Sequence, residues 1–558
     1  MQLVNRIHLK NLRGDIFGGV TAAIVALPLA LAFGVSSGAG PIAGLYGAIA
    51  TGFFAALCGG TPSQITGPTG PMTVVMATII TAVAAQDSET GLATAFTIVI
   101  LGGLFQILFG VLRLGKYITL MPYTVISGFM SGIGAIIIII EVAPFLGYPN
   151  IAGVVASFRA IPRELANPDP IATGLGLLTL ALVFFAPPKL NRIIPSPLLA
   201  LIVGTLISVF VFPDSNIPRI GDIPSGLPEL RFPVFSLDKL NFIVGYGLML
   251  AVLGAIDSLL TSLVADNITR SQHESDRELI GQGIGNAISG LLGGLPGAGA
   301  TMRTVINVQA GGKTPLSGIV HASILLAVVL GAGNLTENIP HTVLAGILIK
   351  VGIDIIDWGF LKRAHVISKK AAAIMYSVML LTVFVDLIVA VTVGVFVANI
   401  LTIERLSKLQ SEKVKIVTDS QGEIPLQAEE QEILTEAKGA ILLFHLGGPM
   451  SFGAAKSISR RMSIVQHYDV LILDITDVTL LGITASLAVE TMIKDAIAQR
   501  RNVYIVGAKG QVKERLQKLK VLELLPLNNQ LDNRLDALRQ ANLFLNPSLV
   551  EDRTTTNV

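Results

Sequence analysis

Two short stretches rich in proline and glycine carry the most chemical information in this sequence. The first is Thr66-Gly67-Pro68-Thr69-Gly70-Pro71-Met72-Thr73. The second is Gly294-Leu295-Pro296-Gly297-Ala298-Gly299-Ala300-Thr301-Met302-Arg303-Thr304. Each interrupts an apolar run where a helix should already be crossing a bilayer, and each is followed by a short helix-compatible segment. Irregular backbone at that depth is tolerated only where it is buried in protein or lines a cavity. A half-helix starting there presents unpaired N–H groups and roughly half a positive charge. Two such starts facing one another approximate one positive charge with several donors, a site for a small anion that needs no lysine or arginine. The hydroxyls of Thr69 and Thr301 would add hydrogen bonds. Arg303 falls in the first turn of the second half-helix. It would either lend its charge to the anion or turn away to an acidic group.

A third feature lies in GLMLAVLGAIDSLLTSLVADNITR (247–270), where Asp257 sits deep in an apolar helix. A carboxylate there is costly and is a functional hypothesis by default. Thr261, four residues on, shares its helix face. With free carbonyls from an unwound stretch they form a hard-oxygen site for a small cation, with sodium the reading and a proton relay the alternative. Asp266, nine residues after Asp257, lies on roughly the opposite face and reads as structural. Lys350, Asp354, Asp357 and Asp386 lie near segment ends and read as interfacial.

These groups need a membrane domain to position them. Of the 558 residues 52% are hydrophobic and only 14% charged, with a mean hydropathy of +0.69. Soluble chains carry roughly 25% charge. The net charge of +2 says nothing of nucleic acid, no long basic run suggests such a partner, and none is expected. The single cysteine, Cys58, rules out an intrachain disulfide and reads as a packing residue. The seven histidines are scattered, no nucleophile–base pair or metal-ligand cluster stands out, and no catalytic residue is expected.

Segments near the length of a span begin around Ile16, Pro41, Leu92, Ile118, Pro170, Ile194, Ile243, Pro315, Ile339, Ala371 and Leu387. With 67–85, 278–294 and 299–312 they give about fourteen membrane segments. The first reads as a retained helix rather than a cleaved signal. Lys and Arg concentrate in alternate loops, which fits both termini in the cytoplasm. The two interrupted stretches are each the third segment of a set of seven, and a matched pair of that kind marks a transporter site in an inverted repeat. The expected transport domain is 1–404.

Beyond it the composition turns soluble. Residues 405–438 read as a linker with a first strand, KVKIV. Residues 439–546 alternate strand-like runs (GAILLFHL, VLILDIT, NVYIVG) with helical ones, a small α/β domain. The polar tail 547–558 is expected to be disordered.

The run PGAGATMRTVINVQAGGKTPLSG (296–318) resembles the tenth-helix region of the SulP family of anion transporters. RELIGQGIGNAISG resembles the family's Asn-Arg-Glu-Leu helix, with Asp276 in place of the asparagine. ITGPTGPMTV resembles its third-helix motif, and ALPLALAFG its first helix, with Phe33 where many members have tyrosine. LRGDIFGG, MPYTVISGFMSGIG, VGIDIIDW and DLIVAVTVGVFVANILTIERLS are similar to the sodium-dependent bicarbonate transporters within that family.

The resemblance covers nearly the whole chain. It implies a uracil-permease-like fold of seven-plus-seven inverted repeats, divided into core and gate, with a cytoplasmic STAS domain at the C-terminus. It implies a multi-pass protein of the plasma (inner) membrane, surrounded by lipid, that forms a homodimer, with the STAS domain a candidate contact. It further implies bicarbonate at Thr69, Gly70, Ala300 and Thr301 with Phe33 and Arg303 beside it. Sodium, the co-transported ion, would sit at Asp257, Thr261, Gly299 and Thr301. The expected function is sodium–bicarbonate symport by an elevator-like motion. The alternatives are a sulfate or other oxyanion transporter, proton-coupled or uncoupled, and a non-transporting receptor or scaffold for the soluble domain. STAS antagonists carry an Asp-Ser that is phosphorylated at the start of the second helix. This chain has Gly482-Ile483-Thr484 there, which puts that regulation in doubt.

Overall fold

Apolar runs of membrane length become helices because only intrasegment hydrogen bonding satisfies the backbone away from water. The computed structural model describes residues 4–546, apart from 6–8, 85–90, 119–121, 152, 188–189, 191–193, 214, 222–227, 236, 332–335, 386, 419–423 and 466. Asp386 and the tail 547–558 lie outside the described residues. The chain divides into two compact units, Met1–Ala398 and Asn399–Val558.

The first unit begins with α1 (Leu12–Ser36) and α2 (Pro41–Cys58). The two-residue strand β1 (Thr66–Gly67) and α3 (Gly70–Ala84) follow. Next come α4 (Gly91–Val111), α5 (Tyr123–Phe145), α6 (Val154–Ala166), α7 (Pro170–Phe185) and α8 (Ser196–Phe210). The second half runs α9 (Leu240–Thr269), α10 (Ser275–Leu291), β2 (Ala298–Gly299), α11 (Thr301–Gln309) and α12 (Pro315–Gly331). It ends with α13 (His341–Ile355), α14 (Lys369–Phe384) and α15 (Leu387–Ser411). Every apolar segment read from the sequence thus has its helix.

By length and composition, six of the described helices could cross a bilayer alone. Helices α3 and α11 are shorter because the stretch before each spends part of the segment on irregular backbone. Helices α6 and α7 meet at 111°. The bend follows from Pro170 at the first turn and from Asp169, whose Oδ1 accepts from the N–H groups of Ile171 (2.9 Å) and Ala172 (2.8 Å).

The helices pack in two groups that each draw on both halves of the chain. Helices α1, α2 and α4 pack with α9, α10 and α12, and α5, α7 and α8 pack with α13 and α14. Helix α15 runs unbroken to Ser411, and the strand read from KVKIV follows at Val414.

The second unit is a five-stranded sheet in the order β3 (Val414–Val417), β4 (Ile441–Met450), β5 (Val470–Leu481), β6 (Asn502–Val506), β7 (Gln530–Leu531). Strand β3 is antiparallel to β4 and the rest are parallel. The unbroken apolar run of β4 reflects burial on both faces. Leu442, Phe444 and Leu446 join one apolar cluster and Ile441 and Leu443 the other. The first cluster is closed by α17 (Phe452–Ile464), α18 (Ile483–Ala498) and α19 (Gly510–Lys518). The second is closed by α16 (Ala428–Glu436) and α20 (Arg534–Leu545).

Glu430 of α16 and Arg534 of α20 form a two-point ion pair, Nε–Oε1 2.8 Å and Nη2–Oε2 2.9 Å. Asp474 Oδ2 lies 3.3 Å from Arg534 Nη1 and 3.0 Å from His445 Nδ1. Burial alone would raise the Asp474 carboxyl. Hydrogen bonds from His445 and Thr476 outweigh it and hold the group down to about 2.

Candidate functional site

The two interrupted stretches meet. Strands β1 and β2 pair antiparallel, Thr66 opposite Gly299 and Gly67 opposite Ala298. Ala300 N donates to Ile65 O (2.9 Å) and Ile65 N to Thr304 Oγ1 (3.0 Å), which continues the contact past the strands. Each unwound backbone therefore finds hydrogen bonds in the other half of the chain. Immediately after the pairing, α3 starts at Gly70 and α11 at Thr301. Proline at the second position of α3 removes an N–H that would have no partner there.

Helix α9 clips this junction. Ser258 Oγ accepts from Gly299 N (3.0 Å), and Thr261 Oγ1 donates to Gly299 O (2.9 Å) while lying 2.8 Å from Thr301 Oγ1. Thr261, Gly299 and Thr301 thus bring three oxygens together. Asp257 stands one turn earlier on the same helix. Its neighbour Thr69 is 9% exposed. Neither Asp257 Oδ2 nor Thr69 Oγ1 has a hydrogen-bond partner. A carboxylate oxygen and a hydroxyl oxygen side by side at this depth are ligands of the type a small cation prefers. Asp257 also borders a cavity of about 150 Å³ whose other walls include Val125, Phe129 and Met130 of α5.

Arg303 is 3% exposed and donates from Nη2 to Pro68 O at 2.6 Å. A Cβ at Gly67 would lie 2.4 Å from Arg303 Nη1, so only glycine lets the guanidinium lie against that backbone. Arg303 is therefore a cross-link from the second half-helix to the first stretch, near enough to Asp257 to feel its charge. The partner is a backbone carbonyl, which neither of the two orientations considered from sequence named.

Ala300 is 9% exposed at the start of α11, and Gly70 is buried at the start of α3. Phe33 is 3% exposed in the same apolar cluster as Leu45, Met72 and Val75, which places it in the core of the unit. Asp266 accepts from His273 N (3.1 Å), His273 Nδ1 (2.6 Å) and Ser271 Oγ (3.1 Å), closing the end of α9 as a structural group. Cys58 is buried and free.

The sequence reading missed the polar frame behind the site. Glu278 Oε2 accepts from Gly60 N (2.9 Å) and Thr61 N (2.8 Å), and Oε1 from Gln64 Nε2 (2.8 Å) and Gln282 Nε2 (2.7 Å). Gln282 Nε2 also reaches Thr66 Oγ1 (2.7 Å). Asn286 donates to Gly297 O (2.9 Å) and accepts from Gly297 N (2.7 Å), while Ser289 Oγ donates to Leu295 O (2.6 Å). On α11, Asn307 Nδ2 donates to Ser63 O (2.9 Å) and Ser317 Oγ (2.9 Å). The signal was present, since 278, 282, 286 and 289 fall at helical spacing on one face of α10.

The profile of the sulfate permease family matches residues 12–378, and that of the STAS domain matches 432–534. The chain is 54% identical to the bicarbonate transporter BicA of Synechocystis sp., covering 100% of this chain and 99% of the relative. It is 55% identical to the bicarbonate transporter BicA of Picosynechococcus sp., over 99% of each. The solved transmembrane domain of a cyanobacterium bicarbonate transporter BicA is 56% identical. It superposes with a TM-score of 0.66 over 70% of this chain and 100% of that one.

Proposed function

The chain belongs to the sulfate permease family, and from that premise we propose that it carries bicarbonate into the cell together with sodium. The observation that carries the proposal is the pair of half-helix starts at Gly70 and Thr301, joined by strand pairing, with the Asp257 carboxylate beside Thr69 and one turn from Thr261. The 54–55% identity to bicarbonate transporters along the full chain supports the choice of anion.

Bicarbonate would accept hydrogen bonds from the N–H groups that open α3 and α11, and from the hydroxyls of Thr69 and Thr301. Gly70 and Ala300 let it approach the backbone. Phe33 and Arg303 would stand beside it, the latter fixing the spacing of the two stretches through Pro68. Sodium, a second cargo, would take oxygens from Asp257, Thr261, Thr301 and the Gly299 carbonyl, all of the hard type it prefers. Sodium neutralises Asp257 and draws the Gly299 carbonyl toward itself, which orders the adjoining start of α11. Each ion thereby tightens the site of the other, by an equal factor.

One sodium with one bicarbonate moves no net charge, so the sodium gradient alone would drive uptake. The group containing α1, α2, α4 and α9 to α12 would slide as a core against α5, α7, α8, α13 and α14, the elevator motion. The protein is a multi-pass membrane transporter. Residence in the inner membrane with both termini in the cytoplasm, and dimerisation with the STAS domain as a contact, complete the reading.

Sulfate is the rival cargo, favoured by the third positive group that Arg303 adds beside the half-helices. Uptake of labelled bicarbonate and labelled sulfate into proteoliposomes, with and without an inward sodium gradient, separates the two. Sodium-dependent bicarbonate uptake is the expected result. Sulfate uptake, or bicarbonate uptake indifferent to sodium, would reject the assignment.

A further inference from the structure

The two half-helix starts are unequally reachable. Thr301 is exposed and Met302 is 64% exposed, whereas Thr69, Gly70 and Pro71 are buried. What covers the first start is visible at Gly70. A methyl added there would lie 2.6 Å from Ile355 Cδ1 and 2.9 Å from Ile137 Cδ1. The two side-chain tips thus rest on the backbone where α3 begins.

They arrive from the two helices that cross at a pair of glycines. A Cβ at Gly134 of α5 would meet Gly352 O at 2.5 Å, and one at Gly352 of α13 would meet Gly134 O at 2.8 Å. Each isoleucine follows its glycine by three residues, close to one turn. The same close crossing therefore aims both tips at one point. Ile137 is 4% exposed, and Ile355 packs against the same apolar cluster.

We propose that Ile137 and Ile355 form an apolar lid on the anion site and set the size and hydration of the anion admitted. This rests on reading the half-helix starts as that site. Isoleucine offers no hydrogen bond, so an anion beneath the lid sheds water on that side and must be satisfied wholly by the opposite N–H groups. A monoanion meets that demand with about one helix-borne positive charge. A dianion would need the Arg303 charge as well and sheds more hydration beneath the lid, so it is disfavoured. Bulk is limited by the two Cδ1 methyls.

Changing isoleucine to valine deletes the Cδ1 carbon, which is the atom in contact, and leaves a β-branched residue suited to the same rotamer. The test measures uptake of formate, bicarbonate, propionate and sulfate into proteoliposomes by wild type, I137V, I355V and the double variant. The ratio of propionate to bicarbonate uptake is expected to rise about ten-fold in the double variant, the size of effect one methylene has in an apolar pocket. The sulfate ratio is expected to rise with it.

Gly70→Ala should lower uptake of the preferred anion by about ten-fold through overpacking, and I355V in the same chain should restore most of it. Unchanged ratios in every valine variant overturn the lid, as does a Gly70→Ala loss that no valine relieves. If Gly70→Ala elutes as unfolded protein on size exclusion, the valine ratios decide alone. Should the wild type prefer another anion to bicarbonate, its ratios to larger anions still read the lid, so the two failures are distinguishable.

Discussion

The membrane unit and the soluble unit bury opposite things. In the soluble unit both faces of the sheet carry apolar clusters, and among the described residues the buried acidic and imidazole groups Glu430, Asp474 and His445 all belong to the clip they form with half-buried Arg534. In the membrane unit the helices turn many large apolar side chains outward, among them Leu104, Phe185, Phe210 and Phe396. Their polar groups are gathered inside, along α10 and around the strand pair. Where water is the solvent, burial of apolar area stabilises and buried charge must be matched in pairs. Where lipid is the solvent, polar groups do the specifying, because any one left unpartnered has no water to turn to. The difference predicts where damage should abolish transport and where it should only loosen a domain.

The heaviest blow should fall on the membrane frame. Glu278→Ala strands four donors at once and is expected to cost about 5 kcal/mol, at 1–3 kcal/mol per unsatisfied group. Thermal unfolding of the full-length protein in detergent would read this as a large fall in the membrane transition. A mild effect would mean that the frame tolerates water.

Next comes Asp257→Asn, which keeps the shape and removes the charge. Sodium stimulation of uptake should fall on the order of 100-fold, the upper range of coupling between two ligands, with the fold intact. An equal response to sodium in the variant would remove Asp257 from the cation site.

Damage to the soluble clip should be smaller and local. The Asp474 carboxyl sits at about 2 in the fold against an ordinary 3.8. Because the folded value is the lower, the stability it lends is complete above about pH 4 and is lost as pH falls toward 2. This amounts to about 2 kcal/mol, at 1.36 kcal/mol per unit. Hydrogen exchange of β4 and β5 in the full-length chain should rise over that interval and change less in Asp474→Asn. The same variant should leave the sodium dependence of uptake unaltered, which tests whether the two regions differ as claimed.

The smallest effect is expected at Thr261→Ser, which keeps the hydroxyl and loses a methyl. Sodium affinity should shift by no more than about three-fold. Thr261→Ala, lacking the oxygen, should lose about ten-fold, near the usual worth of one to two hydrogen bonds. Equal behaviour of the two would argue against oxygen ligation.

Much of this contrast was legible in the sequence. Pro68, Gly70, Pro71, Pro296, Gly297 and Gly299 announce interruptions because they withhold donors or side chains where a helix needs them. Asp257 and Thr261 announce a shared face by spacing. The partners of those groups were not legible. Arg303 could have turned either way, and its bond to Pro68 O depends on a contact 235 residues distant in sequence. The strand pairing β1–β2 involves only two residues per strand and leaves no periodic trace. The frame on α10 was half-legible, a polar row whose meaning needed the facing stretch at 60–66. In the soluble unit, alternating runs were enough to indicate strands and helices, while the Asp474 clip joins residues from four separate elements.

The strand pair β1–β2 also bears on how the chain is made. Thr66 and Gly67 emerge from the ribosome well before their partners Ala298 and Gly299. At roughly 5–20 residues per second, translation of the intervening stretch takes roughly ten to fifty seconds. For that interval the first half stands in the insertion machinery with an open backbone edge at membrane depth. The first half of the membrane unit, α1 to α8, expressed alone, should therefore be held by insertases or degraded, and co-expression of the second half as a separate chain should rescue it.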